Sequence, residues 1–512
     1  MFYNNKELGI VLTPPQTAEY IISRLGKIQN TDKILDPCVG KGIFVEKLLE
    51  SGISKNKIFA YDINSEFKDD IHKLGINYKI QDTLLTLYPD SYNKFDYIVG
   101  NPPYLNKAST YVRKNKIKLR NIYGKINAHE TYSMFIVNSI WRLKEGGKLG
   151  FITSDSFLTL STHKKLRRFI LNYCKINEIL LAPKNLFSSQ KVSTSPVIII
   201  LTKCSGHKNI KNRESNIMRI IPRVNNENEY YSPPLVNQIE QIRYKSLPFN
   251  IFFTDVDINT VNMFEKAPKL KKFLKGYIGM HTHNNRKFIA AIDGTELAEV
   301  FNKRNLNIDN PKNKFKIVMK SALEVSDWKP YLKRGGGDQY YRPIMEALDW
   351  REESKIKYDI PKNVPFEMEG IVISGVSSRL AARYMPSGCY WDSNKAIGFI
   401  IKDKSISIQY VLGLLNSSLY NYMTKGIINI TSSLQISGIH ALPFIKPEKE
   451  FKERIEVLVT SIIKSKQKNL KYDYSKEQRE IDDAIFNFYA KKYKLTGELK
   501  KILDENYAVY SN

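Results

Sequence analysis

Lys33-Ile34-Leu35 runs directly into Asp36-Pro37-Cys38-Val39-Gly40-Lys41-Gly42, and the residues that follow carry Val45, Leu48 and Leu49 at helical spacing. A short apolar strand, a glycine-bearing loop and an amphipathic helix in succession form the first turn of a parallel α/β sheet. The rhythm then repeats. Residues 57–61 are mostly apolar and end at Asp62, Tyr78-Lys79-Ile80 ends at Gln81-Asp82, and Tyr97-Ile98-Val99-Gly100 ends at Asn101. A helix over about 129–143 and strands over 148–152, 179–182 and 196–201 continue it. About seven strands alternating with helices predict one doubly wound α/β domain.

Open sheets of this kind bind ligands outside the carboxyl ends of their strands. Three acids fall there. Asp36 closes the first strand, where a carboxylate suits an amino group or a sulfonium better than a pyrophosphate. The loop agrees, because Gly40 and Gly42 lack the third glycine of the dinucleotide fingerprint. Asp62 is placed to accept from two ribose hydroxyls, and Asp82 from an adenine amine. Upstream, Thr13 followed by Pro14 reads as the cap and first residue of a helix through Tyr20, Ile21, Ile22 and Leu25. Its N-terminus could hold a carboxylate. Together these features point to an adenosine-containing cofactor.

The fourth strand delivers Asn101-Pro102-Pro103-Tyr104. Two successive prolines make a stiff loop. It can aim an amide, a carbonyl and an aromatic ring at one point, which is what methylating an exocyclic base amine requires. Such an amine is a poor nucleophile because its lone pair is delocalised into the ring. The Asn101 side-chain oxygen and the Pro102 carbonyl can accept its two hydrogens and return electron density to nitrogen. The Tyr104 ring can stack on the base.

The chain carries 79 Lys+Arg against 52 Asp+Glu, a net charge of +27, which favours a polyanionic partner, nucleic acid first and an anionic membrane surface second. Lys107, Arg113, Lys114, Lys116, Lys118, Arg120 and Lys125, with Tyr111 and Tyr123 interleaved, read as a basic loop, either a phosphate-contacting one or a solvated lid. Cys38, Cys174, Cys204 and Cys389 form no short-spaced pair, which excludes a zinc framework or disulfide scaffold of the usual spacing. The N-terminal residues lack a signal pattern, and the longest aliphatic run, 197–201, is too short to span a bilayer. A soluble cytoplasmic protein is expected.

Residues 208–229 are polar and Asn-rich and read as an irregular connection. Beyond about 250 the strand–helix rhythm gives way to turns with interspersed aromatics and arginines, among them Arg383 and Trp391, which read as a surface for duplex DNA, or equally as an irregular β-rich domain with Trp391 in its core. His281 and His283 have no third ligand at usable spacing and read as loop residues, so no metal site is expected. From Lys449 the pattern is helical and charged. The expected domains are 1–243 (catalytic), 244–448 (DNA specificity) and 449–512 (helical extension).

The order of these motifs resembles the gamma-class adenine-N6 DNA methyltransferases of the TaqI type, which carry their own C-terminal target-recognition domain. The Thr13-Pro14-Pro15 segment, the Asp36–Gly42 loop, Asp62, Asp82 and Asn101 to Tyr104 stand in that family's order. So does Phe187 in Leu186-Phe187-Ser188-Ser189-Gln190-Lys191-Val192-Ser193. The likeness covers about residues 9–203 strongly and the C-terminal half more loosely. It implies a Rossmann-like class I methyltransferase domain followed by a mixed α+β recognition domain with a helical tail. It also implies S-adenosyl-L-methionine as cofactor and an adenine flipped out of double-stranded DNA as substrate. Asn101, Pro102 and Tyr104 would be catalytic, with Tyr104 and Phe187 stacking on the base. Thr13, Asp36, Cys38, Gly40, Gly42, Asp62, Asp82, Asn101 and Phe135 would hold the cofactor. The protein is expected to act as a monomer, and a separate cognate restriction endonuclease is allowed but not required. No nuclease domain is expected ahead of a cofactor segment that starts near Gly9, and no Asp…Glu-x-Lys cluster follows. RNA and protein-glutamine methylation use the same tetrapeptide chemistry and are the alternatives.

Overall fold

In the computed structural model the chain divides into two compact units, Met1–Val256 and Asp257–Asn512. The structure describes residues 9, 11–87, 92–126, 130–190, 195–325, 327–333, 336–393, 395–428 and 434–508. His129, Lys191, Val192 and Ser193 lie outside them.

The acid-terminated apolar runs fold as β1 (Ile34–Asp36), β2 (Ile58–Asp62), β3 (Asn77–Ile80) and β4 (Phe95–Gly100). They continue as β5 (Leu143–Ser154), β6 (Cys174–Leu181) and β7 (Pro196–Lys203). Two more strands, β8 (Ile217–Ile221) and β9 (Asn237–Glu240), complete a nine-stranded sheet in the order β3-β2-β1-β4-β5-β7-β6-β8-β9. β3 through β5 are parallel, and β7 inserts antiparallel between β5 and β6. The 208–229 stretch is therefore not an irregular connection. Met218, Ile220 and Ile221 are buried there, and their near-alternation is short enough to be hidden by the surrounding Asn and Glu.

Ile98 and Val99 are both fully buried although successive strand residues face opposite ways, so the sheet is covered on both faces, as a parallel sheet must be. α1 (Pro15–Arg24) and α2 (Ile43–Glu50) share one core with Ile34, Val99, Ile152 and Ile198. Full burial of a side chain such as Ile21 or Leu48 contributes roughly 1.5–3 kcal/mol. α1 begins one residue later than expected. Pro14 occupies the cap position with no side-chain cap bond, so Thr13 does not cap the helix. α3 (Lys68–Lys73) follows β2.

The supposed basic loop after the tetrapeptide is helical. It forms α4 (Thr110–Lys114), capped by the Ser109 side chain accepting from Val112 N–H, and α5 (Lys116–Tyr123). Tyr111, Val112, Leu119 and Tyr123 supply the buried stripe that makes helices of a segment whose cations are all exposed. α6 (Thr131–Arg142) then packs on β5.

The second unit is mixed α+β. One four-stranded sheet has the order β10 (Leu274–Ile278), β18 (Ala396–Ile401), β15 (Gly370–Ser374), β16 (Ala382–Met385). A five-stranded sheet has the order β12 (Lys316–Val318), β11 (Ile289–Ile292), β14 (Glu346–Asp349), β13 (Trp328–Leu332), β17 (Tyr390–Trp391). Helices Lys449–Lys468, Ser475–Tyr493 and Gly497–Asn506 belong to this unit, the first packing on the helix Ile408–Asn416. Among the described residues no helix is long and apolar enough to cross a membrane.

Two residues expected at a DNA surface sit in this unit's interior. Arg383 is 2% exposed on β16, and burial pulls its guanidinium down to about 10. Trp391 is fully buried against Gly279 and Gly398, its indole N–H donating to the Tyr277 carbonyl. A hydrogen-bonding partner in the core lets a large polar-tipped side chain be buried, and composition alone does not show that partner.

Candidate active site

β1, β2 and β3 run outward in one direction and the chain then crosses over to β4, so the order reverses beside β1. A crevice forms there at the carboxyl ends of the strands. It holds a cavity of about 660 Å³, within the range of small-molecule sites. Thr13, Cys38, Gly40, Asp62, Asp82, Asn101 and Phe135 line it together, brought from six segments of the first unit. Asp36 and Gly42 do not. Asp36 is 1% exposed, and its Oδ1 accepts the Cys38 N–H, so it braces the loop from behind. Gly42 has φ +92, and a Cβ there would meet Ile71 of α3 at 2.7 Å, so glycine is required for the turn and not for a ligand.

Asp62 Oδ2 accepts the Gly40 N–H and Oδ1 the Asn64 N–H, each at 2.8 Å. Gly40 thus aims its loop at the acid. The Ile63 N–H also bonds this carboxylate, and with about four lone-pair positions to offer it keeps room for a ligand hydroxyl. Asp82 receives the Tyr111 hydroxyl at 3.0 Å on both oxygens, plus the N–H groups of Leu84 and Leu85. Tyr111, expected among the phosphate contacts, is the anchor of this acid and part of the cavity wall.

Burial pushes Asp36 up to about 8, with the neighbouring Asp62 carboxylate adding to the shift. Burial also raises Asp62 and Asp82 against the pull of their N–H and O–H donors, and it holds the Cys38 thiol neutral. Buried carboxyls at the head of a cavity are best matched by a ligand that brings hydroxyl and amine donors and a positive centre. An adenosine carrying a sulfonium and an ammonium fits that donor set.

At the rim, the Asn101 Nδ2 donates to the Val11 carbonyl at 2.9 Å. That bond fixes the amide and leaves Oδ1 as an acceptor. The Tyr104 hydroxyl donates to it at 2.9 Å. The Tyr104 ring leans on Phe187 and Tyr132, with centroids 6.4 Å away in each case and planes tilted by 51° and 49°. Phe187 is fully buried. The two rings expected to receive a base thus lie against each other. Burial keeps its hydroxyl protonated.

Two supports escaped the sequence. Thr131 Oγ1 donates to the Pro103 carbonyl and accepts the Leu105 N–H, holding the exit of the tetrapeptide. Gln190 pairs both amide atoms with the Leu12 backbone at 2.8 Å, tying the Phe187 loop to the segment that orients Asn101. Both are long-range contacts with no local pattern. Lys107, Arg113, Lys114, Lys116, Lys118 and Arg120 are all exposed on or beside α4 and α5.

The nine-stranded sheet, its crevice and the amide at its edge define the first unit as a class I methyltransferase domain whose cofactor is S-adenosyl-L-methionine. Residues 38–187 match the Eco57I restriction-modification methylase family, and residues 313–444 match the TaqI-like C-terminal specificity domain. The chain thus has the TaqI-type layout, a methylase domain followed by a specificity domain. It is 29% identical over 210 residues to the type II methyltransferase M.HincII of Haemophilus influenzae, covering 40% of this chain and 38% of that protein. It is 26% identical over 256 residues to M.BstVI of Geobacillus stearothermophilus, covering 42% and 44% respectively. The match thus spans less than half the length of these relatives. The structure of a nuclease-deletion mutant of the type ISP restriction-modification enzyme LlaGI with a DNA substrate mimic shares the fold, with a TM-score of 0.51 at 16% identity over 89% of this chain and 54% of that one.

Proposed function

We propose that this protein is a site-specific DNA adenine-N6 methyltransferase. The observation that carries the reading is the Asn101 amide. The Val11 carbonyl takes its Nδ2–H, which leaves Oδ1 as the acceptor beside the cofactor cavity, where the Tyr104 hydroxyl now supplies the donor. A target amine would take that donor's place. Bound S-adenosyl-L-methionine supplies an electrophilic methyl group. The protein's part is to orient and polarise. Asn101 Oδ1 and the Pro102 carbonyl accept the two amine hydrogens and raise electron density on nitrogen. No strong base is needed first, because the proton can leave once nitrogen has become cationic.

Double-stranded DNA as substrate is supported by the exposed cations of α4 and α5 just after the tetrapeptide and by the specificity-domain match. Extruding a base costs a few kcal/mol, and each aromatic contact returns about 1–3 kcal/mol. Tyr104 and Phe187 together come close to balancing extrusion, and phosphate contacts supply the remainder.

The test is nucleoside analysis of DNA incubated with the protein and labelled cofactor. N6-methyladenine is expected. N4-methylcytosine, or label only in RNA or protein, would overturn the reading. Asn101→Ala should lose at least about a hundredfold in turnover, the cost of removing a well-placed polarising group, while cofactor affinity stays near wild type. Tyr104→Phe keeps the stacking ring and should retain most activity, whereas Tyr104→Ala should not.

A further inference from the structure

His281 and His283 acquire a third partner in the second unit that their sequence neighbourhood does not offer. His281 and Asp359 form an isolated antiparallel bridge. The N–H of each donates to the carbonyl of the other, at 3.1 and 2.9 Å. Residues directly opposite in such a pair hold their side chains close together. His283 lies two residues on, in the left-handed region at φ 59. Thr282 between them is buried, and its hydroxyl donates to Asn285 Oδ1, which fixes the turn.

The result is a defined constellation. His283 Nε2 is 2.8 Å from Asp359 Oδ2, and His283 Nδ1 is 3.2 Å from His281 Nδ1. The rings cross at 83°. One potential ligand atom from each of the three residues lies within 4.8 Å of the others. With its Nε2–H given to the carboxylate, His283 turns an Nδ1 lone pair towards His281. Two imidazole nitrogens bound to one tetrahedral zinc, each about 2.0–2.1 Å from it, stand roughly 3.3 Å apart. The observed separation already has that value. A carboxylate on the far nitrogen of a metal-bound histidine fixes its tautomer and raises its basicity.

We propose that His281 and His283 bind one divalent transition-metal ion of the zinc class through their Nδ1 atoms, with Asp359 orienting His283. Imidazole selects such ions over magnesium and calcium, which prefer oxygen. The side chains of His283 and Asp359 are 55% and 75% exposed, so water completes the coordination and the ion exchanges freely. In the metal-free chain the Nδ1–Nδ1 contact is a hydrogen bond that carries the proton of His281. On binding, that proton moves to Nε2 of His281, so both rings ligate through Nδ1 as neutral imidazoles.

The experiment is calorimetric titration of the chelator-treated full chain with Zn²⁺ alone. One saturable ion per chain is expected. His281→Ala and His283→Ala should each abolish that ion. Asp359→Asn should weaken it by about 10–100-fold, while His207→Ala, an exposed histidine of the first unit, should leave it unchanged. A tenfold excess of Mg²⁺ should not compete. No saturable zinc binding, or binding that survives His283→Ala with unchanged affinity, would overturn the proposal. None of the three residues is buried, so the variants should keep their fold, which circular dichroism checks.

Discussion

Asp36 shows how one residue's burial reaches the stability of the whole first unit. Its carboxyl is raised to about 8 in the folded chain and lies near 4 in an unfolded one. Between those two values the folded chain holds a proton that the unfolded chain has given up, so stability falls as pH rises from about 4 to 8. Asp36→Asn keeps the acceptor for the Cys38 N–H and removes the ionisable group. It should raise stability at pH 8 by up to about 5 kcal/mol and change it little at pH 4. Thermal melts of both proteins across that window check this. An equal gap at both ends would mean that the carboxyl ionises freely. The same burial explains why the acid was legible as a strand end but not as a brace. Its position follows from β1, whereas its role follows from Gly100 and Cys38 closing over it.

At the scale of elements, α4 and α5 separate two kinds of residue that a loop would mix. Tyr111 and Tyr123 face inward, one holding Asp82 and the other donating to the Leu84 carbonyl at 2.8 Å. The cations face solvent. Replacing Lys116, Lys118 and Arg120 by Gln should weaken specific and scrambled duplexes alike. It should also flatten the salt dependence of binding by a slope of about 0.9 for each phosphate that is no longer neutralised. A binding series between low and moderate salt measures it. If the substitutions alter the preference between sequences and leave the slope unchanged, these helices do not track the backbone.

For the whole molecule, the proposed function would divide at Val256, where the two compact units meet in sequence. The residues proposed for methyl transfer lie before it, and the specificity-domain match lies after it. β9 ends at Glu240 and is the sheet's edge, so a fragment should run to Val256 and not stop within β9. Residues 1–256 should bind S-adenosyl-L-methionine as the full chain does and lose the preference, of the order of a thousandfold or more, that the full chain shows for its site. Competition between cognate and scrambled duplexes tests this. A fragment that still selects the full protein's site would remove recognition from the second unit.

The amino-acid sequence by itself determined the α/β class of the first unit, the order of its strands' acids and the loop that carries Asn101. Each of these is written in a local apolar run and the polar residue that ends it, and a parallel sheet places such ends along one edge. Only the tertiary structure decided which distant groups meet. It put Val11 behind the Asn101 amide, Gln190 on Leu12, Tyr111 on Asp82 and Asp359 beside His281 and His283. It also sent Arg383 and Trp391 into a core. The reason is physical. Periodicity reports that one face of an element is buried, but the partner that buries it is set by topology and by long-range hydrogen bonds, and these leave no mark in the residues on either side.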